Sequence, residues 1–220
     1  MHIARAIALD PTDPLVVSVS LSDAIVEGRM EDAVDLQRRM VATDPLSASE
    51  RGNLGVLLMM TGSLDEAQVE LERVLELSPA GAFNRHNIAY VLLLQRRTDE
   101  ALKVIRQLPA GHDRDVFLAL AHFVRGDVVE GDAMLARLLA PGEAPGLDSA
   151  AAVEIAEVYA AKNDPEQAFK WLDSARRRLG RGGVPVPGKE LRRNLHTAPF
   201  LKALHADPRW KELLAAIGTQ

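Results

Sequence analysis

Three side chains near residue 112 are of types that bind metal ions. His112, Asp113 and Asp115 place an imidazole and two carboxylates close together in the chain, and both groups are common ligands of divalent metals. The same residues follow Gly111 and would open a helix, where carboxylates are favoured as caps and by the helix dipole. We therefore predict no metal site here.

Paired acids elsewhere could act as general acid and base. Asp65-Glu66 and Asp99-Glu100 each open an apolar periodic segment, so the first turn of a helix explains them without catalysis. The sequence has no P-loop, no nucleophile elbow and no His-Glu-x-x-His helix. Arg181-Gly182-Gly183 lacks the strand and helix that flank a phosphate-binding loop, and we interpret it as a linker. We predict that the chain is not an enzyme and takes no cofactor.

The composition indicates which elements must carry any functional residue. Of the 220 residues, 47% are hydrophobic but only 4% are aromatic, so the core must consist of Leu, Ala, Val and Ile. This mixture favours helices, because Ala, Leu and long charged residues lose little side-chain freedom there. The chain has no cysteine, which excludes disulfides and thiolate metal sites. No segment approaches the length of a membrane span, and we expect a cytoplasmic, all-α protein.

Charge is distributed unevenly along the chain. Residues 1–175 contain 16 basic and 28 acidic side chains, whereas residues 176–220 contain 10 basic and 3 acidic ones. A basic tail can bind nucleic acid or anionic lipid, but it can equally dock onto the acidic body. We favour the second interpretation and expect no nucleic-acid partner. Nucleic-acid binding would weaken steeply with salt, because phosphate contacts release counterions.

A 34-residue period organises most of the sequence. Pro11, Pro45 and Pro79 are each 34 residues apart, and a period of this length is typical of helical repeats. Between the last two prolines, an apolar stripe ends at Gly62 and a second one begins after Asp65-Glu66. Each period therefore predicts two antiparallel helices joined at a glycine.

The residues of this period resemble those of the tetratricopeptide repeat family. The matching positions are Asn53, Leu54, Gly55, Gly62, Ala67, Leu71, Val74 and Pro79. Other units match less regularly, with Gln37 a weaker match, Arg96 in place of the turn glycine and Gly131 in place of the usual alanine. Pro165 falls in the first turn of the second helix of the last unit, a position that suits proline. The resemblance implies a right-handed α-solenoid of about five helical hairpins over residues 1–178, led by a half-unit containing Ile3, Ile7 and Leu9.

The C-terminal part departs from the repeat. Residues 179–194 are rich in Gly, Pro and basic side chains and predict a linker, and residues 195–220 predict capping helices divided at Asp207-Pro208. The run from Thr197-Ala198-Pro199-Phe200 to Asp207-Pro208-Arg209-Trp210 resembles repeat regions attached to bacterial cyclases, kinases and winged-helix proteins. This resemblance implies that the chain is the regulatory part of a larger bacterial protein.

The resemblance also implies where a ligand would bind. In this family the second, fifth, ninth and twelfth positions of each unit face a groove, and here they are Ser49, Gly52, Val56, Met59, Phe83, His86, Tyr90, Leu93, Asp113, Val116, Leu120, Phe123, Ala150, Val153, Glu157 and Ala160. We predict a peptide-binding groove at Asn53, Val56, Met59, Phe83, His86, Asn87, Tyr90, Val116, Leu120 and Phe123. The groove lacks the Lys, Arg and Asn pattern that grips a carboxylate, and it suits an extended or helical segment with aliphatic side chains.

Two alternatives remain open at this point. The apolar positions can be covered by neighbouring repeats or by the C-terminal segment folding back. The other alternative concerns function: the chain is a structural module that self-associates, as a homodimer, through the N-terminal edge at Ile3 and Ile7. The leading hypothesis is a non-enzymatic protein-interaction module with a protein or peptide ligand.

Overall fold

The computed structural model describes residues 13–78, 82–140, 148–178 and 188–217. The chain divides into two compact units, Met1–Asn87 (unit 1) and Ile88–Gln220 (unit 2). The helices that begin in unit 1 are Pro14–Glu27 (α1), Met30–Thr43 (α2), Ala48–Thr61 (α3), Leu64–Leu77 (α4) and Ala82–Leu94 (α5), which ends in unit 2.

Unit 2 continues with further helices. They are Thr98–Ile105 (α6), His112–Arg125 (α7), Val128–Leu138 (α8), Ser149–Ala161 (α9), Pro165–Arg177 (α10), Gly188–Thr197 (α11), the 3₁₀ helix Pro199–Leu204 (η1) and Pro208–Ile217 (α12). In the described residues every regular element is helical, which confirms the all-α prediction. Within the units, α1 packs against α2, α3 against α4, α7 against α8 and α9 against α10.

The turns between paired helices require a left-handed backbone. Gly28, Gly62 and Gly126 end their helices with φ between 75° and 91°, a conformation that glycine adopts without a steric penalty. Arg96 and Asn163 take the same region at φ 58° and 63°. The turn predicted at Arg96 therefore forms with an unfavourable residue in it.

Two glycines allow close helix packing. A Cβ atom added to Gly55 of α3 would lie 2.7 Å from Cγ of Leu71 in α4, and one added to Gly131 would lie 2.6 Å from the ring of Phe123. Both distances are much shorter than a van der Waals contact, so a side chain at either position would clash. Gly131 thus replaces the usual alanine because the Phe123 ring occupies the space of its side chain.

The C-terminal helices pack against the last repeat. α12 contacts α10 and α11, and η1 contacts α9 and α11. One apolar core joins these elements, and it contains Ala152, Val153, Ala156, Ala168, Leu172, Ala175, Leu191, Leu195, Ala198, Leu201, Leu204, Trp210, Leu213 and Ile217.

Part of the segment 179–194, which was predicted as a linker, is helical. α11 begins at Gly188, because Leu191 and Leu195 lie one turn apart on its buried side. Residues 179–187 lie outside the described residues, as do the predicted half-unit before Asp13 and the predicted loop at residues 141–146.

Candidate functional site

The predicted groove residues are distributed over both units. Asn53, Val56, Met59, His86 and Asn87 belong to unit 1, and Tyr90, Val116, Leu120 and Phe123 belong to unit 2. The side chain of Phe83 lies outside the described part of the chain. We call the surface formed by the first helices of the hairpins, α1, α3 and the start of α5 in unit 1 and the end of α5, α7 and α9 in unit 2, the first-helix face of that unit.

The first-helix face of unit 1 is partly open. Asn53 is exposed, Val56 and His86 are half-buried, and Met59 and Asn87 are buried beneath them. Leu15 of α1 occupies the position in its repeat that Ser49 occupies in the next one, and it is 72% exposed. Leu15, Asn53 and Val56 are therefore accessible to a ligand, whereas Met59 and Asn87 are not.

A cleft of about 410 Å³ lies beside this face. It is bounded by the start of α1, the end of α2 and the start of α3, and its lining residues are Pro14, Val17, Arg39, Met40, Thr43, Asp44, Ser47 and Glu50. The edge of the cleft is fixed by Gln37, which is fully buried and whose Nε2 donates to the carbonyl and a carboxylate oxygen of Glu50, at 3.0 and 2.6 Å. Gln37, a weak match in the repeat pattern, thus holds α2 to α3.

The predicted residues of unit 2 are mostly internal. Val116, Leu120 and Phe123 are buried, with Phe123 against Gly131, so in this structure they form core rather than an accessible groove. Tyr90 is half-buried and packs edge-to-face on Phe117, with 4.5 Å between ring centroids. Tyr90 also lines a surface cleft.

A buried carboxyl group forms the centre of this face. The Tyr90 hydroxyl donates to Oε2 of Glu157 at 2.8 Å, and the backbone N–H of Phe200 donates to its Oε1 at 3.1 Å. Glu157 is only 2% exposed. Burial raises the pKa of Glu157 to about 8, although the hydrogen bonds from Tyr90 and Phe200 act in the opposite direction. A carboxyl with this pKa is mostly protonated at neutral pH.

Part of this face remains open beside the C-terminal segment. A cleft of about 220 Å³ is lined by Tyr90, Ala150, Val153, Glu154, Glu157, Asn194, Thr197 and Ala198. Glu154 lies within 3.1 Å of Nε2 of His112, one of the candidate metal ligands. Asp115 instead accepts from Arg137 at 3.0 Å. Within the described residues, no group of three His, Cys, Asp or Glu side chains could hold a metal ion.

Glu157 and Phe200 were not among the predicted groove residues. Glu157 did occupy a predicted inward position, and an acidic residue in the otherwise apolar run from Ala150 to Ala161 was a usable signal. Phe200 carried no signal that linked it to this face, because it lies outside the repeats. Among the described helices, none is long and apolar enough to cross a bilayer.

Comparisons with known proteins agree on the architecture. No protein-family model and no curated protein sequence matches the chain. A tetratricopeptide repeat protein from Parabacteroides merdae is similar over 99% of this chain and 90% of its own, with 14% identity and a TM-score of 0.56. PilW, a type IV pilus biogenesis factor, is similar over 82% of this chain and 84% of its own, with 15% identity and a TM-score of 0.55. At these identities the likeness concerns the fold alone.

Proposed function

We propose that this chain, which has the tetratricopeptide-repeat fold, is a non-enzymatic protein–protein interaction module. The predicted helical-repeat resemblance is confirmed at the level of the fold. The resemblance of the C-terminal segment to bacterial signalling proteins stays a prediction, and so does a role as the regulatory part of a larger protein.

The observation that supports this proposal is the contact made by η1. The first-helix face of unit 2 holds this short apolar segment through Leu201 and Leu204, which are buried, and through one main-chain hydrogen bond from Phe200 to Glu157. Apolar side chains that fill pockets and main-chain groups that pair with fixed polar atoms are the usual means of peptide recognition. We propose that a partner segment is held in the same way.

For a separate partner, we propose the first-helix face of unit 1. The corresponding face of unit 2 is taken by η1, whereas Leu15 and Asn53 are exposed and Val56 is half-buried. Residues 13–87 contain 13 acidic and 6 basic side chains. Complementary charge speeds association and excludes like-charged competitors, so the preferred partner carries an apolar segment flanked by basic residues.

Peptide selection on the full chain tests this assignment. Peptides selected from a displayed library should bind wild type and lose roughly tenfold or more in affinity with Leu15→Asp or Asn53→Arg. Val69→Asp is the matched control, because Val69 is 63% exposed on α4 and lies on a second helix. Equal binding to all three variants would show that unit 1 does not bind through this face.

Self-association is the second candidate function. Leu15 and Leu46 are both strongly exposed, and their neighbours Pro14 and Ser47 line the same cleft. Exposed apolar side chains next to a cleft are typical of protein interfaces. Light scattering over a range of concentrations separates the two candidates, because a chain that stays monomeric, and whose mass is unchanged by Leu46→Asp or Ile3→Asp, does not self-associate there.

A further inference from the structure

The contact between Glu157 and η1 is chemically unlike the rest of the repeat core. At the ninth position of the units that begin with α3, α5 and α7 the residues are Val56, Tyr90 and Leu120, whereas the unit that begins with α9 has Glu157. A buried carboxyl loses its hydration, and an apolar side chain of similar volume is often equally or more stabilising in a core. Packing alone therefore does not explain an acid at this position.

The group that Glu157 recognises is a backbone N–H at the start of a turn. Pro199 has no N–H of its own, and the next residue, Phe200, donates to Oε1 of Glu157. The Phe200 ring lies 6.2 Å from the Tyr90 ring, and Leu201 and Leu204 are buried on the same segment. The turn thus combines one main-chain donor with an aromatic and two aliphatic anchors.

The face is also larger than the turn that covers it. The cleft of about 220 Å³ beside η1 contains Glu154, Asn194 and Thr197 at its edge, which are groups that can bind the main chain of a longer segment. A bound segment could therefore extend beyond the length of η1.

We infer that the first-helix face of unit 2 is a recognition site for a protein segment of the form Pro-aromatic-Leu with a second Leu three residues later, and that η1 occupies this site as an internal ligand. The inference rests on the proposed interaction function but concerns a different face. A partner segment competes with η1, so its apparent affinity is reduced by the fraction of chains in which the site is empty. The high effective concentration of a tethered segment makes that fraction small.

A peptide with the sequence of residues 195–209, carrying a fluorophore, is the probe for a binding experiment on full-length chains. Phe200→Ala combined with Leu201→Ala weakens the internal ligand, and the probe should then bind roughly tenfold or more tightly than it binds wild type. Leu213→Ala is the control, because it removes a buried side chain of the same core but leaves η1 intact. Failure of the double variant to bind the probe would overturn the inference.

A second pair of variants identifies the recognising group. In the double-variant background, Glu157→Ala should reduce probe binding roughly tenfold or more, as expected for the loss of a central contact. Glu130→Ala should leave it within about twofold, because Glu130 is an exposed acidic residue at the start of α8, which is a second helix. An equal loss in both would show that the acidic surface, and not Glu157, attracts the probe.

Hydrogen exchange measures the same contact without any ligand. The Phe200 amide should be protected in wild type and Glu130→Ala but not in Glu157→Ala. A Phe200-dependent dimer in sedimentation would assign the site to a second copy and would overturn the assignment to a separate partner. If this probe fails to bind while peptides selected on unit 1 still bind, the inference is wrong and the proposed function stands. If the probe binds while no peptide binds unit 1, only the unit 1 site is rejected.

Discussion

The Tyr90 hydroxyl and the Glu157 carboxyl meet at 2.8 Å although the residues are 67 positions apart. Tyr90 comes from the end of α5 and Glu157 from the middle of α9, so the bond ties the first helices of unit 2 together. The same carboxyl accepts the N–H of Phe200. One buried side chain therefore connects the repeat core with the C-terminal segment.

Replacing Glu157 by Gln should change how stability depends on pH. Burial raises the pKa of Glu157 from 4.5 to about 8, so between these values the folded chain binds a proton that the unfolded chain has released. This contribution to stability is complete below pH 4.5 and is lost as pH rises towards 8, at up to about 1.4 kcal/mol per pH unit. Glu157→Gln lacks this slope.

Urea unfolding at several pH values measures the effect. The variant should match wild type near pH 5 and become the more stable protein by pH 9, because the amide can bond to both Tyr90 and Phe200 without a charge. A constant difference across this range would show that Glu157 is already ionised in the folded chain.

His196 should make the C-terminal core sensitive to acid. Burial, together with the neighbouring charges of His205 and Arg192, lowers the pKa of His196 to about 4. Its Nε2 has no hydrogen-bond partner among the described residues. The unfolded chain therefore binds more protons between pH 6.5 and 4, and this contribution to stability is present above pH 6.5 and lost as pH falls.

His196→Gln isolates this contribution. Its free energy of unfolding should fall less than that of wild type between pH 6.5 and 4, by up to about 1.4 kcal/mol per pH unit. Glu157 and His196 give slopes of opposite sign over part of this range, so the difference between variant and wild type is the quantity to compare. Parallel curves would mean that His196 takes up a proton as readily in the folded chain as in the unfolded chain.

The sequence predicted local structure better than it predicted the contacts of the C-terminal segment. The turn glycines, Pro165 in the first turn of α10 and the turn at Arg96 follow from backbone preferences within one repeat. The bond from Phe200 to Glu157 joins residues 43 positions apart that share no periodic register. Such contacts depend on tertiary packing and leave no local pattern.

The start of α11 was missed for a related reason. Glycine and proline dominate residues 180–188, and that composition favoured a linker through residue 194. Leu191 and Leu195 stabilise α11 because both are buried in the core that they share with α9 and α10. A two-residue apolar stripe becomes a helical signal only once the surface it covers is known.

Close packing at Gly55 should make substitution there costly. Gly55→Ala places a methyl group 2.7 Å from Cγ of Leu71, which is fully buried and cannot move aside. Overpacking of this kind costs about 1–3 kcal/mol, more than the gain of up to about 1 kcal/mol from replacing glycine in a helix. The variant should therefore be less stable in urea unfolding.

Gly52→Ala is the matched control on the same helix. Its methyl group would lie 3.3 Å from Oδ1 of Asn84, a contact that a small shift relieves. We expect its free energy of unfolding to exceed that of Gly55→Ala by at least about 1 kcal/mol. Equal stability of the two would show that α3 and α4 can separate without loss.

The left-handed turn at Arg96 predicts a stabilising substitution. Arg96 has φ 58°, and an ordinary residue pays about 1–2 kcal/mol in that region, while glycine pays none but has more freedom to lose on folding. Arg96→Gly should therefore raise the free energy of unfolding by about 0.5–1 kcal/mol. Asn163→Gly, at φ 63°, should gain less, because asparagine tolerates this conformation better than arginine. Urea midpoints of the two variants decide the point: a destabilised Arg96→Gly, or a larger gain for Asn163→Gly, would mean that the Arg96 side chain contributes contacts that outweigh the strain of its backbone.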